Sequence, residues 1–270
     1  MELPPGTANY SDRNPEPQSR DLFKFFVICI ASLMATIWGI FALGSALVWW
    51  IPPSVEQQLG NLVLPIYRQQ AKPGKTQDQL NDLLNKLESH LPPSNPTRNY
   101  QILYINQPIV NAAAVPGDRI LVYQGLLDKA ESENELMMIL GHELGHFKNR
   151  DHLRGLGNAL LLQIVFSSLV GDIGSVAAIG TTSIEALSRA QFSQQQETQA
   201  DEVGLDLLYK HYGHVAGAVD FFDRIKDLPK NIPLLASHPA PASRVEHLKT
   251  RIHDRQYSIK PKSPLQISQS

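Results

Sequence analysis

The sequence contains a single cysteine and no excess of basic residues. Cys29 lies inside an apolar run, so an intrachain disulfide is impossible and the cysteine count leaves the redox compartment open. The 24 lysine and arginine residues are matched by 26 aspartate and glutamate residues, for a net charge of −2. This balance gives no sign of a basic surface for phosphate backbones, so we expect no nucleic-acid partner.

Charged residues are also missing from residues 25–51, a run of 27 residues. As an α-helix this run would be about 40 Å long, enough to cross the roughly 30 Å hydrocarbon core of a bilayer with some tilt. Trp49 and Trp50 stand at its far end, where interfacial aromatic residues are common. The sequence therefore predicts a disordered tail over 1–21 and a transmembrane anchor over 22–51.

A cleaved signal peptide is the alternative to an anchor, since Gly44-Ser45-Ala46 is a weak cleavage site. The apolar region of a signal peptide is normally only about 7–15 residues long, which favours the anchor. Basic residues precede the run, whereas the nearest one after it is Arg68. The positive-inside rule then predicts a single-pass protein with a cytoplasmic N-terminus and the rest of the chain on the extracytoplasmic side.

Beyond the anchor, we predict a linker over 52–75, one domain over 76–256 and a disordered tail over 257–270. Leucines at helical spacing predict an amphipathic helix at the start of the domain, and Pro92 ends it. Three short segments typical of strands follow, at 100–105, 109–114 and 119–123. The fold is therefore expected to be α+β and predominantly helical, with a small sheet packed on helices.

An H-E-x-x-H motif at 142–146 is the most informative stretch for function. On a helix, this spacing places His142 and His146 on one face, where both imidazoles can bind one metal ion. Glu143 follows the first histidine and can take a proton from a metal-bound water. The pattern therefore indicates zinc and peptide-bond hydrolysis.

The residues before the motif support a helix. Ser132 followed by Glu135 is a capping box, which predicts a helix start. Gly145, between the two histidines, could let another backbone come close. The alternative interpretation is a surface helix with two solvated histidines.

A catalytic zinc usually has three protein ligands and one open position, so a third ligand must come from elsewhere. Glu197 is the best candidate, and Asp201 shares its helix face at a spacing of four. Asp201 could then accept a hydrogen bond from a ligand histidine and fix its orientation. The alternative is a solvated acidic pair on a polar helix.

Four ordered sequence blocks, at 111–117, 142–146, 197–201 and 238–244, resemble the HtpX-like members of peptidase family M48. This gluzincin group of zinc metallopeptidases includes the CAAX prenyl proteases, and the resemblance covers about residues 75–255. Asp118 departs from the family pattern, which often has a second glycine there. The resemblance implies a zincin-like metallopeptidase domain with one zinc ion per chain.

The resemblance also implies roles for residues outside the motif. His238 would stabilise the oxyanion formed when water attacks the peptide carbonyl, and Arg244 would orient a carboxylate or contact the substrate. The alternative for both residues is a solvated turn before the last helix. The segment 109–115 would bind an extended peptide as an edge strand, with a plain core strand as the alternative. The other histidines are expected to be surface or core residues: His90, His152, His211, His214, His247 and His253.

A second apolar stretch at 156–187 is too short for two membrane spans, and a single span would separate His146 from Glu197. We interpret it as a buried or membrane-facing helical pair. Together these features predict a membrane-anchored zinc endopeptidase for protein or peptide substrates, in membrane or envelope protein quality control. The alternatives are a membrane-tethered chaperone or assembly factor that keeps the zinc fold, and a zinc hydrolase acting on a non-peptide bond.

Overall fold

The computed structural model describes residues 19–93, 98–154, 191–228 and 232–267. The tail predicted over 1–21 falls almost entirely outside these residues, and the apolar stretch at 156–187 falls wholly outside them. The chain divides into two compact units, one ending at Leu43 and the other beginning at Gly44. All predicted site residues belong to the second unit.

Helix α1, Ser19–Leu47, contains most of the uncharged run. Many of its large apolar side chains are exposed rather than packed against other residues. Trp38, for example, is 74% exposed. The part of α1 from Ser19 to Gly39 is long and apolar enough to cross a membrane, by length and composition. The predicted N-terminal apolar helix is therefore confirmed, and a short 3₁₀ turn, Val48–Trp50, follows it.

Helix α2, Pro53–Gln70, occupies the segment that the sequence predicts to be a linker. Its Leu64 and Tyr67 pack with sheet residues in a small core cluster of their own. Gly60 is so near the turn between two strands that a Cβ on it would lie 2.6 Å from the Gly117 Cα. The structure thus differs from the prediction, because Gly60 and Pro65 inside the segment are unfavourable in helix interiors and weaken the helical signal.

Three strands form one small sheet: β1 Gln101–Ile105, β2 Ala112–Val115 and β3 Arg119–Tyr123. The order is β1–β3–β2, with β1 parallel and β2 antiparallel to β3, so β2 lies at an edge of the described sheet. In the turn between β2 and β3, Asp118 has a φ of 57°. This left-handed backbone favours glycine, and it accounts for the glycine that the resembling family often has here.

Seven further helices lie among the described residues of the second unit. They are α3 Lys75–Glu88, α4 Gln124–Leu127, α5 Glu133–Lys148, α6 Gln194–Tyr212, α7 Asp220–Ile225, α8 Pro233–Ser237 and α9 Pro241–Asp254. Helix α5 is central, since every residue from Asn134 to Phe147 is buried. A Cβ on Gly145 would lie 2.7 Å from the Ala200 Cα of α6, which confirms the expected close backbone approach. The predominantly helical α+β fold with a small sheet is also confirmed.

The segment after α9 differs from the predicted disordered tail over 257–270, as far as residue 267. Tyr257 stacks on Tyr209, with 4.1 Å between the ring centroids. The Ser263 N–H donates to Asn134 Oδ1 (2.7 Å), and the Ser263 carbonyl accepts from the Glu133 N–H (3.0 Å). The first N–H groups of a helix have no partner within the helix, so this polar segment completes the start of α5 without an apolar pattern that could predict it.

Candidate metal centre

Helix α5 begins where the capping pattern predicts. Ser132 is its N-cap and accepts a hydrogen bond from the Glu135 N–H at 3.3 Å. The Glu135 carboxylate accepts from the Glu131 N–H at 3.1 Å and pairs with Arg224, so only half of the predicted capping box forms. This start places the two motif histidines in the third and fourth turns, on one face of a buried helix.

The imidazoles of His142 and His146 point their Nε2 atoms at each other, 3.0 Å apart, and both rings are buried. Each Nδ1 faces a carboxylate, at 2.8 Å from Asp201 Oδ1 for His142 and at 3.0 Å from Asp151 Oδ2 for His146. When both rings are neutral and each Nδ1–H donates to its carboxylate, both Nε2 atoms carry lone pairs. Two lone pairs that face each other this closely fit a cation between them.

Helix α6 brings Glu197 to the two histidines. Ser193 starts this helix with a capping box, and the buried Glu197 follows in the first turn. Glu197 Oε1 lies 3.4 Å from His146 Nε2, and its Oε2 lies 3.8 Å from His142 Nε2. His238 joins them, with its Nδ1 3.0 Å from Glu197 Oε1 and 3.1 Å from His142 Nε2. One ligand atom from each of these four residues lies within 4.8 Å of the others, so the group could hold one metal ion.

The donor set fits zinc, which prefers imidazole nitrogen and carboxylate oxygen in groups of three or four. Two buried atoms beside this group, Glu143 Oε1 and His238 Nε2, have no hydrogen-bond partner among the described residues. Buried polar atoms without partners are uncommon and call for an explanation such as an ion. A zinc ion held by this group, together with its bound water, would supply that explanation.

Arg244, on α9, clamps the acidic residues of α6. Its Nε and Nη2 donate to the two oxygens of Asp201 at 2.8 and 2.6 Å, and its Nη1 lies 2.6 Å from Glu197 Oε2. The guanidinium carbon sits 4.3 Å from the ring centroid of Phe222. Of the two roles that the sequence left open for Arg244, this geometry favours orienting carboxylates, because the side chain is 2% exposed.

The charges around the site shift the pKa values of its residues. Burial alone would raise the pKa of Asp201, but the charge and hydrogen bonds of Arg244 and His142 lower it to about 2. Burial and the Arg244 charge lower the pKa of His142. Burial also disfavours protonated His146, but hydrogen bonds to Asp151 and Glu197 raise its pKa to about 9. Before any metal is considered, the site therefore favours a positive charge at His146.

Glu143 is fully buried at the edge of the sheet. Its Oε2 accepts a hydrogen bond from the Ala114 N–H of β2 at 2.8 Å. Its Oε1 has no hydrogen-bond partner within the described chain, and His238 Nε2 lies 3.7 Å from it. One carboxylate oxygen is thus fixed by the backbone, and the other is left beside the histidine and glutamate group.

A comparison of the whole sequence with known families agrees with this geometry. The sequence profile of peptidase family M48 matches residues 71–252, which is more than half of the chain. The chain belongs to peptidase family M48. The metallopeptidases of this family use zinc, in keeping with the donor set.

Curated M48 proteins are also similar to this chain. The chain is 31% identical to "Metalloprotease LoiP" of Escherichia coli (strain K12) over 160 residues, 57% of this chain and 62% of that protein. It is 34% identical to "Mitochondrial metalloendopeptidase OMA1" of Arabidopsis thaliana over 114 residues, 41% of this chain and 22% of that protein. It is 26% identical to a "Putative beta-barrel assembly-enhancing protease" of Vibrio cholerae over 162 residues, 55% and 33% of the two chains. The matches span less than two thirds of each relative's length.

One residue of this M48 site is absent from the sequence-based prediction. Asp151 is fully buried and holds His146, while Gln196 Nε2 donates to its other oxygen at 2.8 Å. It lies just beyond the end of α5, so the helical spacing that relates Glu197 to Asp201 could not reveal it. An aspartate five residues after a ligand histidine is the sequence signal that could have found it.

A cavity of about 280 Å³ adjoins the site along β2. Ala113 and Ala114 line it on the sheet side, and Asp151, Phe192 and Ser237 line it on the helix side. Phe192 also stacks on His146, with 3.9 Å between ring centroids. The cavity of this M48 domain therefore lies between the edge strand β2 and residues that contact the metal centre.

Proposed function

We propose that this protein is a membrane-anchored zinc endopeptidase that cleaves peptide bonds of protein substrates. In this proposal His142, His146 and Glu197 hold the zinc, and Asp201, Asp151 and Arg244 fix those ligands in place. When bound, zinc would lower the pKa of a water and polarise the substrate carbonyl.

Glu143 is the general base in this proposal. The observation that supports it best is the Glu143 carboxylate, which is anchored through Oε2 to the Ala114 N–H and has Oε1 unengaged among the described residues. Such a carboxylate can take a proton from the attacking water and pass it to the leaving amine. His238, with its Nε2 3.7 Å from Glu143 Oε1, is placed to donate a hydrogen bond to the developing oxyanion.

The substrate in this proposal is an extended peptide that pairs with the edge of β2, which has no partner strand among the described residues. The Ala114 N–H points away from β3 to Glu143, so this edge faces the catalytic carboxylate. The adjoining cavity of about 280 Å³ exceeds the roughly 150 Å³ cavity that can hold benzene. It therefore has room for one large apolar side chain of the substrate beside the peptide bond that is cut.

The test is cleavage of casein or another unfolded protein, with and without a chelator, by the wild-type protein and by Glu143→Gln. We expect the chelator to stop cleavage and Glu143→Gln to lower its rate by about 10² to 10⁴, the usual worth of a general base. Zinc content should stay at the wild-type level, because Glu143 is not a ligand. Binding of unfolded protein without cleavage would support the chaperone or assembly-factor alternative, and wild-type cleavage by Glu143→Gln would contradict the proposal.

We further propose that α1 anchors the protein with its N-terminus in the cytoplasm and the second unit on the extracytoplasmic side. The support is the exposed apolar surface of α1 and the basic residues that precede it. A role in membrane or envelope protein quality control suits that location. It is also in keeping with two similar proteins, a mitochondrial metalloendopeptidase and a putative beta-barrel assembly-enhancing protease. External protease added to intact cells or spheroplasts should degrade the second unit; complete protection would reverse the orientation.

A further inference from the structure

Three consecutive residues after α5, Arg150 to His152, make contacts with separate parts of the second unit. Asp151 holds His146 of the metal centre. Arg150 and His152, on either side of it, reach the residues that follow α1 in the chain. The segment 150–152, here called the ligand turn, therefore connects one metal-site histidine to a region that the sequence assigned to the anchor and the linker.

Arg150 fastens the ligand turn to the end of the 3₁₀ turn. Its Nη1 donates to the Val48 carbonyl at 2.8 Å, and its Nη2 donates to the Ile51 carbonyl at 2.7 Å. Carbonyls at the end of a helix lack partners within the helix, so these bonds complete that end. Arg150 also has a φ of 58°, a left-handed backbone that non-glycine residues adopt only when their surroundings hold them there.

His152 fastens the other side of the ligand turn to α2. Its Nε2 lies 2.8 Å from Glu56 Oε1, and both side chains are buried. Arg98 makes a two-pronged ion pair with the same Glu56 carboxylate, at 2.8 and 2.7 Å. Burial opposes ionisation of Glu56, yet the hydrogen bonds and charges of His152 and Arg98 keep its pKa well below the usual range. Glu56 is therefore a fixed anion at the start of α2.

We propose that Glu56 is a positioning residue of the metal centre, which acts through the ligand turn to keep Asp151 hydrogen-bonded to His146. Glu56 Oε2 also lies 3.4 Å from Arg150 Nη2. When Glu56 is neutralised, His152 and Arg150 therefore lose a shared anion, and the left-handed backbone at Arg150 can relax. Asp151 then moves away from His146, whose ring is no longer oriented for metal. The segment 48–56 thus belongs functionally to the metal centre, an inference that rests on the zinc binding in the proposed function.

The experiment measures the zinc dissociation constant of the full-length protein in detergent, by competition with a chelator. Partners that orient a ligand histidine are worth about 10- to 100-fold in metal affinity, so we expect Glu56→Gln to raise the constant about 10-fold. Glu135→Gln is the matched control. Glu135 is fully buried and paired with an arginine at 2.5 Å, but it lies at the opposite end of α5. Its substitution should lower the melting temperature as well, yet leave the zinc constant within about twofold of wild type.

A double substitution distinguishes positioning from general destabilisation. If Glu56 acts through Asp151, then Glu56→Gln combined with Asp151→Asn should bind zinc no more weakly than Asp151→Asn alone, because coupled residues are not additive. Effects that multiply would overturn the proposal, as would wild-type zinc affinity in Glu56→Gln. If Glu56→Gln fails to fold, His152→Phe replaces it in the same comparison, and His152→Gln, which keeps a donor, should restore affinity.

The outcome separates this inference from the proposed function. Unchanged zinc affinity in Glu56→Gln, together with loss of cleavage in Glu143→Gln, would refute only the role of Glu56. A wild-type protein that binds no zinc would refute both. The visible spectrum of the Co²⁺-substituted protein gives a second readout, since a reoriented His146 should change the absorption in Glu56→Gln and leave that of Glu135→Gln unchanged.

Discussion

The two histidines of the metal centre are held in different ways. On the arginine side, His142 faces Asp201, which a buried Arg244 clamps from α9. On the turn side, His146 faces Asp151, which accepts a hydrogen bond from Gln196 and lies 3.6 Å from the partly exposed Arg154. The pKa is lowered for His142 and raised to about 9 for His146. The turn side therefore favours a positive charge at its histidine, whereas the arginine side disfavours one.

The largest expected effect follows from substitution of Arg244, which holds the two carboxylates on the arginine side. Arg244→Leu leaves Asp201 and Glu197 buried without their cation, and breaking such a pair costs about 3–5 kcal/mol. We expect a large fall in the free energy of unfolding, measured by urea denaturation of the zinc-free protein. Arg244→Lys should recover only part of the loss, because lysine cannot make the two-pronged contact. Wild-type stability in Arg244→Leu would show that this side does not depend on charge pairing.

The next largest effect compares the two carboxylates directly. Asp201→Asn and Asp151→Asn each weaken the hydrogen bond that orients one histidine, so each should raise the zinc dissociation constant about 10- to 100-fold. Asp201→Asn should in addition lower the stability of the zinc-free protein, since it leaves Arg244 short of one anion. Asp151→Asn should affect stability less. Equal losses of stability in the two variants would remove the distinction between the sides.

The two sides also differ in how well the sequence predicted them. The arginine side follows from helical spacing, because His142, Glu197 and Asp201 lie within regular helices whose faces can be worked out. Asp151 lies after the last turn of α5, where the backbone at Arg150 becomes left-handed, and no periodic pattern extends across such a turn. Helix α2 escaped prediction for a different reason, since Gly60 and Pro65 inside it disfavour a helix in the sequence.

A smaller effect should appear in the pH dependence of the zinc-free protein. The folded-state pKa of His146 is raised from 6.5 to about 9, so the folded protein holds this proton more tightly than the unfolded chain does. The resulting stability is complete below pH 6.5 and is lost as the pH rises through about 9. His142, with a lowered pKa, has the opposite sign and gains stability as the pH rises towards 6.5. Urea midpoints of the zinc-free protein should therefore fall between pH 7 and pH 10.

Asp151→Asn tests the origin of that fall, because it removes one of the anions that raise the pKa of His146. Its urea midpoint should decline less steeply over the same range. Zinc takes the Nε2 lone pair that the proton would occupy, so the zinc-loaded protein should lack this part of the dependence. A midpoint that rises between pH 7 and pH 10 in the zinc-free wild type would contradict the assignment of His146.

The smallest expected effect concerns the aromatic rings beside the two histidines. Phe192 stacks on His146 at 3.9 Å and is partly exposed, whereas Phe222 lies buried beneath Arg244. Phe192→Leu loses a stacking contact worth about 0.5–1.5 kcal/mol, and the exposure of this ring favours the low end, so zinc affinity should fall by less than about threefold. Phe222→Leu loses a desolvated cation–π contact worth about 2 kcal/mol, and the loss should appear in the unfolding free energy of the zinc-free protein. The reverse result, with Phe192→Leu lowering stability more than Phe222→Leu, would mean that ring packing around His146 outweighs the charge held by Arg244, and that the turn side is the more rigid of the two.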